Sequence, residues 1–145
     1  MEGGPQKESP MAAEFGTILI DVSPGTDIEV DRSFLERLGH PVTVCHGPPH
    51  GHLCPILAGT GCPMAEEAHG VVFELDLDRP QHRAILRRYR EVLAEDIPIR
   101  AVVEPGQETR YADTLAGIGV WTREPTTGDL DAFASEVEAY ERLAT

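Results

Sequence analysis

Val71-Val-Phe-Glu-Leu-Asp76 and Pro80-Gln-His-Arg-Ala-Ile-Leu-Arg-Arg-Tyr-Arg-Glu-Val-Leu-Ala94 place a strand and a helix end to end. The first run is short, apolar and rich in β-branched and aromatic residues, as in a buried strand. In the second, Pro80 suits a first helical turn, and Ile85, Leu86, Tyr89 and Leu93 fall on one stripe. The same alternation repeats outward in both directions. Upstream, Thr17-Ile-Leu-Ile-Asp21 is a strand that stops at Ser23-Pro24-Gly25. Val30, Phe34, Leu35 and Leu38 then recur at helical spacing, and Gly39 closes that helix. Pro41-Val-Thr-Val-Cys45 is the next strand. A loop from His46 to about Gly70 follows, with room for one short helix. Downstream, Ile97 to Val103 reads as a strand between Asp96 and Pro105-Gly106. Thr109 to Ile118 reads as a helix closed by Gly119, and Val120-Trp121-Thr122 as a brief strand. Thr127 to Leu143 is a last helix, capped by Thr127, with Leu130, Phe133, Val137 and Tyr140 on one face.

Strands alternating with helices five times predict an α/β fold, a five-stranded doubly wound parallel sheet in three α/β/α layers. Such sheets place their functional crevice at the carboxyl ends of the strands. Here those ends carry Asp21, Cys45, Asp76, Val103-Glu104 and Glu124-Pro125. The 145 residues amount to one domain. Residues 1–16 read as a disordered tail and 17–145 as the domain, with a Cys/His loop at about 45–70. A formal net charge of -13 argues against nucleic acid as a partner, because phosphate binding needs clustered Lys and Arg. Arg83, Arg87, Arg88 and Arg90 read as a solvated helix face. No apolar run approaches membrane-spanning length, and the N-terminus lacks the pattern of a signal peptide. A cytoplasmic location is expected, and an odd three cysteines argue against a disulfide framework.

Three segments resemble those of a response-regulator receiver domain, over about Thr17 to Leu143. Ile18-Leu-Ile-Asp21-Val22-Ser23-Pro24 is similar to the acidic end of that family's first strand. Leu75-Asp76-Leu77-Asp78-Arg79-Pro80 is similar to its phosphoacceptor segment, with Asp76 four residues before a proline. Val120-Trp121-Thr122-Arg123-Glu124-Pro125 is similar to the fifth strand and the Lys-Pro turn after it. The resemblance implies that Asp76 is phosphoacceptor-like and that Asp21 is one of the two acids that hold Mg²⁺. Val22 stands where the second acid is expected, Val103 where a hydroxyl is expected, and Glu124 where a lysine is expected. A carboxylate beside a phosphoryl group repels it. The expectation is an atypical receiver with a broken phosphorylation switch and without Mg²⁺. Asp76 and Asp78 alternatively end a strand and cap a helix. Trp121 matches the family's switching aromatic, or simply packs.

The least ordinary stretch is Cys45-His46-Gly-Pro-Pro-His50-Gly-His52-Leu-Cys54-Pro55-Ile-Leu-Ala-Gly-Thr-Gly-Cys62-Pro63. It is similar to receiver-like proteins of actinobacterial type, which share a Cys-x-Gly-Pro start and a later Cys-Pro-Leu-Leu-like segment. Cys45, Cys54, Cys62 and one of His46, His50, His52 or His69 supply the donors of a tetrahedral Zn²⁺ site, and the thiolates those of an iron–sulfur cluster. Their spacing is not that of a Cys-x-x-Cys knuckle. The two Cys-Pro pairs also resemble haem-regulatory motifs. Two of the thiols forming a reversible disulfide is a second reading, and small buried packing residues a third.

No segment matches a Cys/His enzyme or a Gly-rich phosphate loop, so no enzymatic activity is expected. With no attached output domain in view, the chain is expected to act by binding a regulatory protein, with homodimerisation left open. The resemblance places the partner face at about Arg110 to Tyr140, with Trp121, Glu124 and Asp129 on it. Its further acids Asp113, Asp131, Glu136 and Glu138 favour a basic partner surface. The alternative is a metal- or thiol-based sensor that uses the cysteine loop as its input.

Overall fold

The computed structural model describes residues 15–47 and 54–144. Five strands form one sheet: β1 (Thr17–Asp21), β2 (Val42–Cys45), β3 (Ala68–Phe73), β4 (Ile99–Val102) and β5 (Gly119–Trp121). The sheet order is β2-β1-β3-β4-β5, and every neighbouring pair is parallel. Parallel pairing requires crossovers, and helices supply them on both faces. α1 (Glu29–Arg37) and α7 (Thr127–Ala144) cover one face; α4 (Pro80–Val92) lies on the other, with the turns α2 (Pro55–Ala58), α3 (Pro63–Glu66), α5 (Gln107–Arg110) and α6 (Ala112–Leu115). The doubly wound α/β expectation therefore holds.

Strand alternation sorts the core into two halves. Ile18, Ile20, Val22 and Val72 meet Leu35 of α1 and Leu130, Phe133 and Val137 of α7. Leu19, Val71, Phe73 and Ala101 meet Ile85, Leu86 and Tyr89 of α4 and Leu115 of α6. At Gly70 the packing of α7 on β3 is closest. A Cβ built there falls 2.6 Å from Val137 Cγ2 and 3.1 Å from Phe133 Cζ. Gly70→Val is therefore expected to cost about 1–3 kcal/mol by overpacking. Urea denaturation checks this, and an unchanged midpoint would mean that α7 is not seated so tightly.

Several element bounds differ from the sequence reading. β3 begins at Ala68 and ends at Phe73, where Val71 to Asp76 was expected. Pairing sets this: the amide of Glu74 donates to Asp21 O at 2.7 Å, and β1 offers nothing to pair with beyond that. Val30 was expected on the apolar stripe of α1 but is 71% exposed, and Ile28 is buried in its place. The expected helix Thr109–Ile118 is instead the two turns α5 and α6, broken at Tyr111, whose hydroxyl donates to Asp78 Oδ1 at 2.6 Å. The described residues of the 46–70 loop hold two helical turns where one was expected. α7 is capped by Thr126, not Thr127. Thr126 Oγ1 accepts from the Asp129 amide at 3.1 Å, and Asp129 Oδ2 accepts from the Thr126 amide at 2.9 Å, a reciprocal capping box. Phe15 and Gly16, assigned to the tail, are joined to the domain. The Phe15 amide donates to Gly39 O at 2.9 Å, and its ring stacks on His40 with centroids 5.0 Å apart. The rest of the expected tail, residues 1–14, lies outside the described residues.

Candidate functional site

The chain runs from β1 outward to β2, then returns to β3 and continues to β5, so the winding reverses between β1 and β3. At such a switch point the loops after the two central strands separate and leave a crevice. A pocket of about 580 Å³ lies at the carboxyl edge, lined among others by Ser23, Glu74, Asp76, Val103, Glu104 and Glu124.

Asp21 ends β1, is fully buried, and faces the α4 side with Leu19. Its Oδ2 accepts a 2.8 Å hydrogen bond from the Tyr89 hydroxyl. Among the described residues its Oδ1 has no nitrogen or oxygen donor; the Cys45 thiol, a weak donor on the strand partner in register with it, neighbours the carboxylate. Burial pushes the carboxyl up to about 7, against the opposing pull of Tyr89 and Cys45.

Glu74 follows β3 and turns toward the opposite face. Its Oε2 is buried without a hydrogen-bond partner among the described residues. Burial, then the nearby carboxylates of Asp31 and Glu124, push it up to about 7. Asp31 on α1 is raised in turn by burial, Glu124 and Asp27. Three acids from three elements thus share one corner of the strand edge. The sequence reading missed Glu74 and Asp31. The available signal was a glutamate at the carboxyl end of an otherwise apolar strand.

Asp76, the expected phosphoacceptor, lies beyond the end of β3 and is exposed. Its carboxylate organises the β3–α4 turn, where Oδ1 accepts from the Asp78 amide at 2.9 Å and from Gln107 Nε2 at 3.2 Å. Its carbonyl accepts from the buried ring of His82, Nδ1 at 2.9 Å. Gln107, itself buried, also accepts from the Glu104 amide at 2.9 Å through its side-chain oxygen. Asp78 pairs with Tyr111 and Arg110, which hold its carboxyl below the usual range.

The other resemblance positions fall as follows. Val22 and Val103 are buried core residues. Glu124 is exposed at the pocket wall. Trp121 is half-buried with its ring edge-on to Phe133, centroids 6.2 Å apart. Asp129 is committed to its capping box and to Arg123 Nη1 at 2.6 Å, and these push it down to about 2. The residues present do not fit the Mg²⁺ ion that receivers hold. Asp21 is turned to Tyr89 and Cys45, and Val22 brings no oxygen. Among the described residues no three His, Cys, Asp or Glu side chains converge on an ion.

The described residues of the thiol loop form no such group either. Cys45, Cys54 and Cys62 are free thiols and pack against the α4-side core, with Cys54 buried and the other two half-buried. His46 is exposed, with Nδ1 3.3 Å from Val22 O, and His69 pairs with Glu141. His50 and His52 lie outside the described residues.

No protein-family model matches the chain, and a search of curated proteins finds no match. Solved structures do resemble it. A response-regulator receiver domain protein from Clostridium thermocellum superposes with a TM-score of 0.65 at 16% identity, over 90% of this chain and 100% of that one. A CheY-like receiver domain protein from Methanospirillum hungatei gives 0.63 at 14% identity, over 90% and 99%. A phosphorylated cyanobacterial phytochrome response regulator gives 0.58 at 14% identity, over 90% and 97%. Together with the strand order and the switch-point pocket, these likenesses establish that the chain has the fold of response-regulator receiver domains.

Proposed function

We infer that the chain is an atypical receiver-like regulatory module that acts by binding another protein, without an aspartyl-phosphate switch. The observation that carries this reading is the charge of the strand-edge pocket. Phosphoryl transfer to a carboxylate needs cations to neutralise the moving oxygens. Here Glu74, Asp31 and Glu124 crowd the corner with negative charge. Among the described residues there is no lysine; the only lysine of the chain, Lys7, lies outside them. Arg123 reaches the pocket wall, but its guanidinium is paired with Asp129. An acidic face of this kind complements a basic partner surface.

The test is incubation with acetyl phosphate and Mg²⁺, read by intact mass. The wild-type mass is expected to stay unchanged. A stoichiometric phosphoryl adduct that disappears in Asp76→Asn would overturn the reading and restore the ordinary switch.

A further inference from the structure

Arg83, Arg87 and Arg90 stand at i, i+4 and i+7 on α4, which puts them on one stripe about 10 Å long. Arg88 lies off that stripe and pairs with Glu91 at 2.7 Å. The three stripe arginines turn toward the seam that α4 forms with Tyr111 and α6, and each is held there by an uncharged acceptor. Arg83 Nη1 donates to Leu77 O at 2.6 Å, and its guanidinium lies over the Tyr111 ring, 4.7 Å from the centroid. Arg87 Nη2 donates to Thr114 Oγ1 at 2.9 Å, and Arg90 Nη1 donates to Thr114 O at 3.2 Å. Arg90 also lies beside Gly117, where a Cβ would fall 3.6 Å from its Nη2.

None of the three has an ion pair among the described residues. Of the acids on the neighbouring turns, Asp78 is taken by Arg110 and Tyr111, and Glu91 by Arg88. Asp113 on α6 pairs with none of the three. Two guanidiniums thus converge on one residue, Thr114, with no carboxylate between them. Like charges so placed repel, and an anion that bridges them replaces repulsion by attraction. Most N–H donors of each guanidinium remain open, and Arg87 and Arg90 are exposed. They form a planar fork that fits a carboxylate. The hydrogen bonds to Leu77 and Thr114 fix these forks beforehand, which lowers the ordering cost of binding.

We propose that the seam between α4 and α6 docks a short acidic segment of a partner protein, with Asp or Glu carboxylates seated on Arg83, Arg87 and Arg90. Charge complementarity selects this occupant. The stripe is a local exception on a chain of net charge -13. A long polyanion such as nucleic acid meets the surrounding negative charge along its whole length, and a second copy brings the same net charge with it. A short acidic segment meets chiefly the stripe, because charges beyond about 8 Å are screened at physiological salt. None of the three arginines lines the strand-edge pocket, so this surface is additional to that one.

The test titrates the intact chain with a short polyglutamate peptide and follows the arginine Nε–H resonances by NMR. Those of Arg83, Arg87 and Arg90 and the amide of Thr114 are expected to move together, and to move less as salt is raised. Arg87→Gln combined with Arg90→Gln is expected to weaken binding about tenfold, and Arg88→Gln, off the stripe, to leave it unchanged. Glutamine keeps the helix propensity of arginine, so the fold is expected to persist in each variant. A peptide that moves none of these resonances, or an equal loss in Arg88→Gln, would overturn the proposal. So would saturation of the same resonances by inorganic phosphate at equal concentration, an oligonucleotide that binds as tightly as the peptide, or shifts that grow with protein concentration alone. Those three results would identify a small ion, nucleic acid or a second copy as the occupant. Intact mass after acetyl phosphate reads the strand edge and not this seam, so failure of either idea leaves the other standing.

Discussion

Asp21→Asn is expected to raise the unfolding free energy at pH 8 by on the order of 2–3 kcal/mol, and to change it little near pH 4. Asp21 titrates from 3.8 as an ordinary carboxyl to about 7 in the folded chain. Below 3.8 it is protonated in both states and contributes no slope. Between 3.8 and about 7 the folded chain holds a proton that the unfolded chain has released, so stability falls as pH rises. Above that window the cost of the buried charge is fully present. Asparagine keeps the shape and still accepts from Tyr89, but it carries no charge to desolvate. Glu74 adds a smaller slope of the same sign, because part of it remains in solvent. Asp129 has the opposite sign and acts lower, where its stabilising contribution is lost as pH falls toward about 2. Denaturant midpoints of wild type and Asp21→Asn from pH 4 to pH 8 check the claim. Parallel curves would show that Asp21 is not held in a proton-retaining site.

Phe133→Ala is expected to cost about 3–5 kcal/mol, a large share of the stability of a single domain. The ring is 1% exposed and is the largest fully buried side chain of α7. It meets the edge of Trp121 on β5, and the Arg100 guanidinium lies 5.7 Å from its centroid. The Phe133 ring also lies close over Gly70, which has no side chain to extend into the space it vacates. Phe133→Leu keeps most of the volume and is expected to cost roughly half as much. Because Trp121 loses its ring partner, its fluorescence is expected to shift before global unfolding. Val30→Ala serves as the control. Val30 is largely exposed, so its loss is expected to stay within about 0.5 kcal/mol of wild type. A Phe133→Ala midpoint equal to that of the control would show that α7 is not docked as described.

The layer order was legible because period-two and period-3.6 runs alternate with clear breaks, and parallel pairing with helical crossovers follows from that alternation. What pairing decides was not legible. Phe73, Leu75 and Leu77 continue an every-second-residue apolar pattern, so β3 read as running to Asp76. The end of β1 at Asp21 stops the ladder at Glu74 instead. By that pattern Asp76 is the strand-end acid, a place that Glu74 holds in the fold. Asp21 could be identified as a strand-end acid. Its burial against Tyr89 could not, because the two are far apart in the sequence. The meeting of Glu74, Asp31 and Glu124 has the same origin, since three separate elements converge only in the fold. Val30 and Ile28 exchanged roles because the helix enters from a turn whose angle the periodicity does not contain.

Asp21 and Glu74 at the strand edge are pushed up to about 7 by burial, with no metal ion or lysine among the described residues to draw them down. The most direct measurement is a carboxyl-carbon NMR titration of Asp21 and Glu74 from pH 3 to pH 9, without and with millimolar Mg²⁺. Midpoints near 7 are expected for both, the same with and without the ion. Midpoints near 4, or midpoints that drop when Mg²⁺ is added, would contradict it and show a cation site of the phosphorylatable kind.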